Sequence, residues 1–319
     1  MIRVRSGGRG TVERIFLSAV FLKGEVIMNR LSGKGYAFFL PSVLIFFVFY
    51  YWPLLVNLGL SFFSWNMVSA KAKFVGIRNY IVIIQSPEFY QVVGNTILFI
   101  VFLLVFNFIL PYFYSYMIAH MLKYGKTIYR SLLFLPSLLS LAVASIIFLW
   151  IYNPMAGPVN EIVKMFGGTS PRWFKEPYIV LFSISSIIGW KVFGYNMILL
   201  LAAMVSVPRE IIEAARLENA SDWIIFKKII LPQTSSSAMY VFVITVVFGL
   251  QYVMVPVNML TQGGPDQGSA NLVYAIYQYA FVFYQTGKSA AYAMITMMLF
   301  TLFLGWRSRV ADKKVYYEN

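Results

Sequence analysis

The chain has 319 residues, of which 60% are apolar, 18% aromatic and only 12% charged, with a formal net charge of +14 and a mean hydropathy of +0.72. A soluble domain carries roughly twice that charged fraction, and several uncharged runs approach or exceed the ~18 residues that span a bilayer. The composition therefore excludes a soluble globular fold and implies a polytopic helical membrane protein. An outer-membrane barrel would show alternating segments of about ten residues, which are absent. With no cysteine in the chain, disulfides, iron–sulfur clusters and thiolate metal sites are excluded.

Residues 1–35 form a basic segment with Arg3, Arg5, Arg9, Arg14, Lys23, Arg30 and Lys34. Its apolar run, 15–22, is too short to span or to act as a signal peptide. Met28 offers an internal start that would leave 1–27 as an extension; an amphipathic surface helix over 11–23 is the other reading. Residues 36–306 read as one transmembrane domain and 307–319 as a basic cytoplasmic tail. Span 1 is expected at about 37–60, broken by Pro41 and Pro53, followed by an exterior loop, 61–91. Span 2 covers about 92–119, entered through Gly94, Asn95 and Thr96. Span 3 covers about 132–151, with Pro136 near its start. A polar loop, 152–177, leads to span 4 at about 178–206. A charge-rich loop, 207–233, precedes span 5 at about 234–258. An outer segment, 259–288, then leads to span 6 at about 289–306.

Loop charge orients these spans. With the N-terminus inside, the inner segments hold eighteen Lys and Arg and the outer ones seven, a clear positive-inside bias. Because both termini are basic, the number of spans is even. The apolar stretch 271–284 is short for spanning and would place the tail outside, so it reads as an exterior interfacial helix with its tyrosines at headgroup level. The fold class is an all-α polytopic membrane protein of about six transmembrane helices, N-in and C-in, with a cytoplasmic loop between spans 4 and 5. The positive charge follows from topology, so nucleic acid is not an expected partner; the lipid bilayer is.

No Walker A pattern occurs, so the chain has no phosphate cradle of the usual kind. The single histidine, His120, lies at a span end near Lys123, with no Ser/His/Asp set around it. It leaves a metal site without the usual ligands, and no metal or catalytic residue is assigned. The six expected spans contain no carboxylate, the common relay of proton- and sodium-coupled carriers. The sequence describes a path without an engine of its own.

Residues 213–232 read EAARLENASDWIIFKKIILP. Pro208 suits a first helical turn, and Glu210 and Glu213 suit its positive end. One helix runs to about Leu217. A second starts near Ser221 and Asp222, both good N-caps, and is ended by Leu231 and Pro232. Asn219, between them, stands where the turn needs a positive φ, which Asn tolerates better than any residue but Gly. The spacing is E-A-A, three residues, Asn219, nine residues, Ile229, one residue, Leu231-Pro232. It resembles the EAA loop of permease subunits of binding-protein-dependent ABC importers, E-A-A-x3-G-x9-I-x-L-P. Glu213, Ala214, Ala215, Ile229, Leu231 and Pro232 match in register, and Asn219 stands at the family glycine.

After span 5, Thr261-Gln262-Gly263-Gly264-Pro265 is similar to the T-x-G-G-P loop of sugar-type permeases of the maltose and glycerol-phosphate kind. The resemblance covers roughly 36–306. It implies a non-enzymatic subunit, the first type of a heterodimeric pair, forming half of the translocation path for an oligosaccharide or related sugar or polyol. Implied partners are a second homologous permease, two cytoplasmic ABC ATPases seated on the EAA loop, and an external solute-binding protein. The chain itself would hold no cofactor, ATP and Mg being bound by the ATPases. The setting is a bacterial or archaeal cytoplasmic membrane.

Polar residues inside spans are candidates for the path. A charge at mid-span costs about 2.5–3.5 kcal/mol on insertion scales and marks a pathway or a buried pair. Lys191 is such a residue, with Tyr195 on the same helical face and Asn196 beside it. In span 5, Gln251, Tyr252 and Asn258 interrupt an apolar run with Gly249 and Pro256, as broken helices at binding sites do. The same residue types also serve as glue between helices. A stand-alone channel or facilitator for small polar solutes is the alternative reading. A membrane enzyme would need an acid/base set that the spans lack, and a scaffold subunit would need no path.

Overall fold

The computed structural model describes residues 38–69 and 71–311. It consists of helices and one two-stranded hairpin, the all-α polytopic architecture that the composition implies. The basic segment 1–35, with its alternative start and its 11–23 helix, and the end of the tail lie outside the described residues. Five helices are long and apolar enough to cross a membrane: α1 (Phe38–Leu60), α3 (Pro87–Met121), α7 (Ile179–Val205), α10 (Ser235–Thr261) and α12, whose apolar part is Thr286–Trp306. A pair, α4 (Lys126–Leu138) and α5 (Leu141–Ile151), bent by 103°, makes a sixth crossing if taken as one span. The structure divides into α1, up to Gly59, and a body from Leu60 onward.

Helix α1 is not broken at its prolines. It runs on through Pro53 after a widened π turn, Phe47–Tyr51. The same device precedes Pro111 in α3, at Val105–Ile109, and Pro232, at Phe226–Ile230. Proline lacks the N–H for the carbonyl four residues back and crowds it; a wider turn relieves the crowding, and neighbouring helices satisfy what is freed. For Pro111 that carbonyl belongs to Asn107. It accepts Asn196 Nδ2 of α7 at 2.6 Å and Thr245 Oγ1 of α10 at 3.4 Å. Three helices thus meet at one backbone oxygen.

Helix α7 is the centre of the body, with 56% of its most apolar window buried. Two glycines allow this. A Cβ on Gly189 would lie 2.8 Å from Phe106 Cβ of α3, and one on Gly194 would overlap the Leu133 carbonyl of α4. The break between α4 and α5, which the sequence places inside a continuous span 3, has a local cause. Pro136 sits in a 3₁₀ turn, Leu135–Leu138, and Ser140 then caps α5 by accepting the Val143 N–H at 3.2 Å. The loop that follows contains α6 (Pro158–Met165).

The outer segment 61–91 is more ordered than a loop. Strands β1 (Phe63–Ser64) and β2 (Lys73–Phe74) pair antiparallel, and α2 (Arg78–Gln85) follows. Asn79 Nδ2 donates to the Ser61 and Phe63 carbonyls at 2.8 and 3.0 Å. Helix α3 starts earlier than the apolar run, because Ser86 caps it and Pro87 and Glu88 fill its first turn as the helix start prefers. Glu88 is therefore a carboxylate at the N-terminal end of a crossing helix. The interfacial helix expected over 271–284 is α11 (Leu272–Val282), but Tyr274 and Tyr279 are buried in the main core against Phe89, Phe99 and Tyr292. The tyrosines face protein because the helix packs down on α3 and α12.

Candidate functional site

The loop 207–233 folds as two helices. The first, α8 (Arg209–Leu217), has Pro208 as its N-cap residue rather than its first helical one. Its end is closed by Asn219 N–H to Arg216 O and Ala220 N–H to Ala215 O, both 3.0 Å, with Asn219 at φ +59. This is the Schellman closure, which needs a left-handed residue after the helix, and Asn219 supplies it as its place in the sequence implies. The second, α9, spans 222–233. Its cap is Ser221, as expected. Leu231 and Pro232 do not end it; only Thr234 separates it from α10, because the π turn before Pro232 absorbs the proline.

The loop is seated on the spans through Ile212, Ile225 and Ile230, buried with Tyr112, Leu200, Met204 and Val207. Ala215, Ala220, Phe226 and Ile229 pack at its edge. Tyr112 OH lies 2.6 Å from Thr234 Oγ1, and the Tyr116 ring meets Phe226 edge-on at 5.0 Å. Arg216 Nη2 reaches Asp222 Oδ1 at 3.5 Å, joining the two helices. At spacing i, i+3, i+4, i+7, one stripe of α8 is Arg209, Ile212, Glu213 and Arg216, which all line a cavity against α3 and α4. The adjoining face, with Ala214 and Leu217, is exposed. Leu217 is 86% exposed, Trp223 66% and Leu231 41%. Clustered exposed apolar groups beside charged ones are what a docking surface requires. Of the seven motif residues, Ala214 and Leu231 are exposed, Ala215, Ile229 and Pro232 are half-buried, Asn219 makes the turn, and Glu213 faces the cavity. Tyr112, Tyr116 and Thr234 had no motif to mark them; their only signal is aromatic residues four apart at a span end.

The mid-span candidates separate. Lys191 Nζ donates to the Ser137 carbonyl at 3.2 Å, at the C-terminal end of α4, where a cation is favoured. It also stands 5.9 Å from the centre of the Tyr252 ring, within cation–π reach. Tyr252 in turn stacks on Phe248 at 4.3 Å. The structure therefore brings Lys191 and Tyr252 together across α7 and α10. Asn196 is fully buried and joins Asn107 and Thr245 instead. Tyr195 and Gln251 are exposed, and Asn258 is half-buried in the π turn Val257–Thr261.

On the opposite side from the 207–233 loop, the turn after Thr261 is tied to α3. Asn95 Nδ2 donates to the Gln267 and Ala270 carbonyls at 2.8 and 3.0 Å, Gln91 Nε2 to Asp266 O at 2.7 Å, and Thr96 Oγ1 accepts from Leu272 N at 3.1 Å. Tyr279 OH donates to Glu88 Oε2, and Lys288 Nζ to Tyr279 OH, both at 3.1 Å. Burial, and then the Glu88 charge, hold the Tyr279 phenol well above its ordinary range, so it stays a donor to that carboxylate. A nearby cavity of about 560 Å³ is lined by Trp65, Asn66, Lys73, Arg78, Tyr284 and Lys288, among others.

Comparison with known proteins gives a consistent picture. The family model described as "Binding-protein-dependent transport system inner membrane component" matches residues 115–315. The probable ABC transporter permease protein YurN of Bacillus subtilis is 29% identical over 280 residues, covering 86% of this chain and 94% of that protein. The sn-glycerol-3-phosphate transport system permease protein UgpA of Shigella flexneri is 27% identical over 281 residues, covering 87% and 94%. The fold matches a crystal structure of a bacterial alginate ABC transporter in complex with an alginate pentasaccharide-bound periplasmic protein, with TM-score 0.72 and 21% identity over 91% of this chain and 98% of that one.

Proposed function

Because the chain belongs to the family of binding-protein-dependent transport system inner membrane components, we propose that it is one half of the translocation path of an ATP-driven ABC importer for an oligosaccharide or related sugar or polyol. It would sit in the cytoplasmic membrane of a bacterium or archaeon, paired with a second, homologous permease. Two ATPase subunits would bind ATP and Mg, and an external binding protein would deliver the substrate. The chain carries out no reaction itself.

The observation that carries this reading is the loop 207–233: two helices closed by Asn219, fixed to the ends of α3, α7 and α10, and exposing Ala214, Leu217, Trp223 and Leu231. In this reading those exposed groups seat the ATPase. Ala215, Ile229 and Pro232 lock the loop to the spans, so that a push on it moves α7 and α10 together. The sugar class is supported by the Thr261–Pro265 turn and by the similarity to the glycerol-phosphate permease and to the alginate transporter. Lys191 and Tyr252 are the groups placed to line the path, a cation and an aromatic face being suited to hydroxylated or acidic sugars.

Co-purification tests the assembly. The tagged chain, expressed with its genomic neighbours, is expected to bring down an ATPase, and Glu213→Lys to lower uptake of labelled sugar strongly while the chain still inserts. Purification of the chain alone as a solute-conducting pore would favour the stand-alone channel instead.

A further inference from the structure

A groove of about 400 Å³ separates the first stripe of α8 from the end of α3, the start of α4 and the end of α7. Its floor is apolar, with Ala119, Met204 and Ile212; its rim carries Lys126, Arg130, Arg209 and Arg216. Glu213 is the one carboxylate in the lining, and Arg216 also reaches Asp222. Among the described residues no ion pair joins Lys126, Arg130 or Arg209 to an acid. Lys126 Nζ holds the Ala119 carbonyl at the end of α3, 3.0 Å away. Arg130 Nε and His120 Nε2, in the same wall, are buried without a hydrogen-bond partner among the described residues. A buried N–H of a cation without an acceptor is unfavourable, and four cations facing a single acid leave the groove positive.

We propose that this groove holds the phosphate of an anionic phospholipid. Its oxygens accept from Arg130 and Lys126, a charge-assisted contact that Arg is shaped to make. Depth favours a lipid over a soluble anion. The groove lies where α3 ends at Met121 and α7 at Val205, the level of headgroups, and exposed Val205 forms part of its wall. The glycerol and acyl chains then lie along the apolar side. The exposed Ala214 and Leu217 lie on the adjoining face of α8, outside the groove lining. Since Arg209, Glu213 and Arg216 belong to α8, a bound headgroup ties that helix to the membrane surface.

The test uses the full-length chain in mild detergent, so it does not depend on importer assembly. The chain is equilibrated with equimolar phosphatidylglycerol and phosphatidylcholine, and retained lipid is measured by native mass spectrometry. Preferential retention of phosphatidylglycerol is expected. Lys126→Gln with Arg130→Gln should weaken it roughly twenty-fivefold, taking about fivefold per cation near an anionic surface, and leave phosphatidylcholine unchanged. Should that variant not fold, exposed Arg209→Gln decides, with about fivefold weakening expected. Equal retention of the two lipids, or wild-type retention of phosphatidylglycerol by the variant that folds, overturns the proposal. So does tight binding of inorganic phosphate to the delipidated chain with no lipid preference, which would make the groove a site for a soluble anion.

Discussion

At one end, inner by loop charge, the body holds the loop 207–233 mainly through carbon: Ile212, Ile225 and Ile230 sit among aliphatic and aromatic side chains of α3 and α7, with the hydroxyl pair Tyr112–Thr234 and a 3.5 Å contact from Tyr116 OH to the Asp222 carbonyl. At its outer end the turn 262–271 is held by amides. Gln91 and Asn95 of α3 donate to carbonyls about 175 residues away in sequence, and Thr96 accepts a backbone N–H. Apolar packing is non-directional, so the loop and the spans it grips can move together without stranding a polar group. Directional bonds to a buried backbone do not allow this, since a small displacement leaves groups unsatisfied. The inner loop is thus built to be pushed and the outer turn to keep its shape.

The largest effect is expected where that contrast is attacked from the outer side. Asn95→Leu removes two bonds and strands the Ala270 carbonyl, while the Gln267 carbonyl keeps the Ala270 N–H. At about 1–3 kcal/mol for the unsatisfied buried carbonyl and about 0.5–1.5 kcal/mol for the other lost bond, the turn should lose about 1.5–4.5 kcal/mol of local stability. A cysteine at 266 in the otherwise cysteine-free chain reads this as faster labelling from outside, with the labelling of one at 219 from inside unchanged. If the two sites loosen together, the ends are not independent and the comparison fails.

Lys191 lies between the two ends and tests which rule governs the middle. Lys191→Met removes a charged hydrogen bond to Ser137, worth about 1.5–3 kcal/mol, but also removes a charge whose placement there costs about 2.5–3.5 kcal/mol. Complex yield should therefore change little. If Lys191 and Tyr252 line the path, uptake at limiting substrate should fall about tenfold, since about 1.4 kcal/mol is a factor of ten, with basal ATPase activity retained. Lost yield with unchanged substrate dependence would make Lys191 a packing residue. At the inner end, Tyr112→Phe removes one hydroxyl contact and should cost about 1 kcal/mol. Adding Thr234→Val to it should cost little more, because the Ile230 carbonyl that Thr234 Oγ1 also bonds keeps the Thr234 N–H. Thermal unfolding of the three proteins measures this, and a much larger loss would mean that the inner loop is held by polar contacts after all.

Sequence patterns made the inner end legible and left the outer end obscure, for the same physical reason. Helix starts, the positive-φ turn at Asn219 and the apolar stripes are local, and local spacing carries them. The spans could be counted because hydropathy is additive along the chain. Asn95 gave only an entry polar group; its partners at Gln267 and Ala270 exist only after α3 and α10 have packed. Glu88 was outside the apolar run, so its bond to Tyr279 had no trace. Tyr274 and Tyr279 of α11 read as interfacial by composition and proved buried, because burial depends on α3 and α12. The bend after Leu138 and the groove beside α8 had the same cause: Pro136 and the basic residues were visible, but what they face was not.

The smallest effect is expected at Asn219, and it bears most directly on the inner end. Its φ of +59 is the left-handed region, which is strained for most side chains and open to glycine. Asn219→Gly keeps both closing bonds, Asn219 N–H to Arg216 O and Ala220 N–H to Ala215 O, because both use backbone only. Relief of the residual side-chain strain stabilises the turn, while the greater freedom of glycine in the unfolded chain opposes it. The two nearly cancel, so thermal stability and uptake should stay within about 0.5 kcal/mol of the parent. Asn219→Val should cost about 1–3 kcal/mol, since a β-branched residue is poorly tolerated at that angle. The pair isolates geometry from contact, because the Asn219 side chain is exposed. Equal losses in both variants would show that the amide itself is recognised, by the ATPase or by the loop. Loss in valine alone would show that the turn supplies only an angle, and that α8 and α9 are joined by backbone geometry while carbon seats them on the spans.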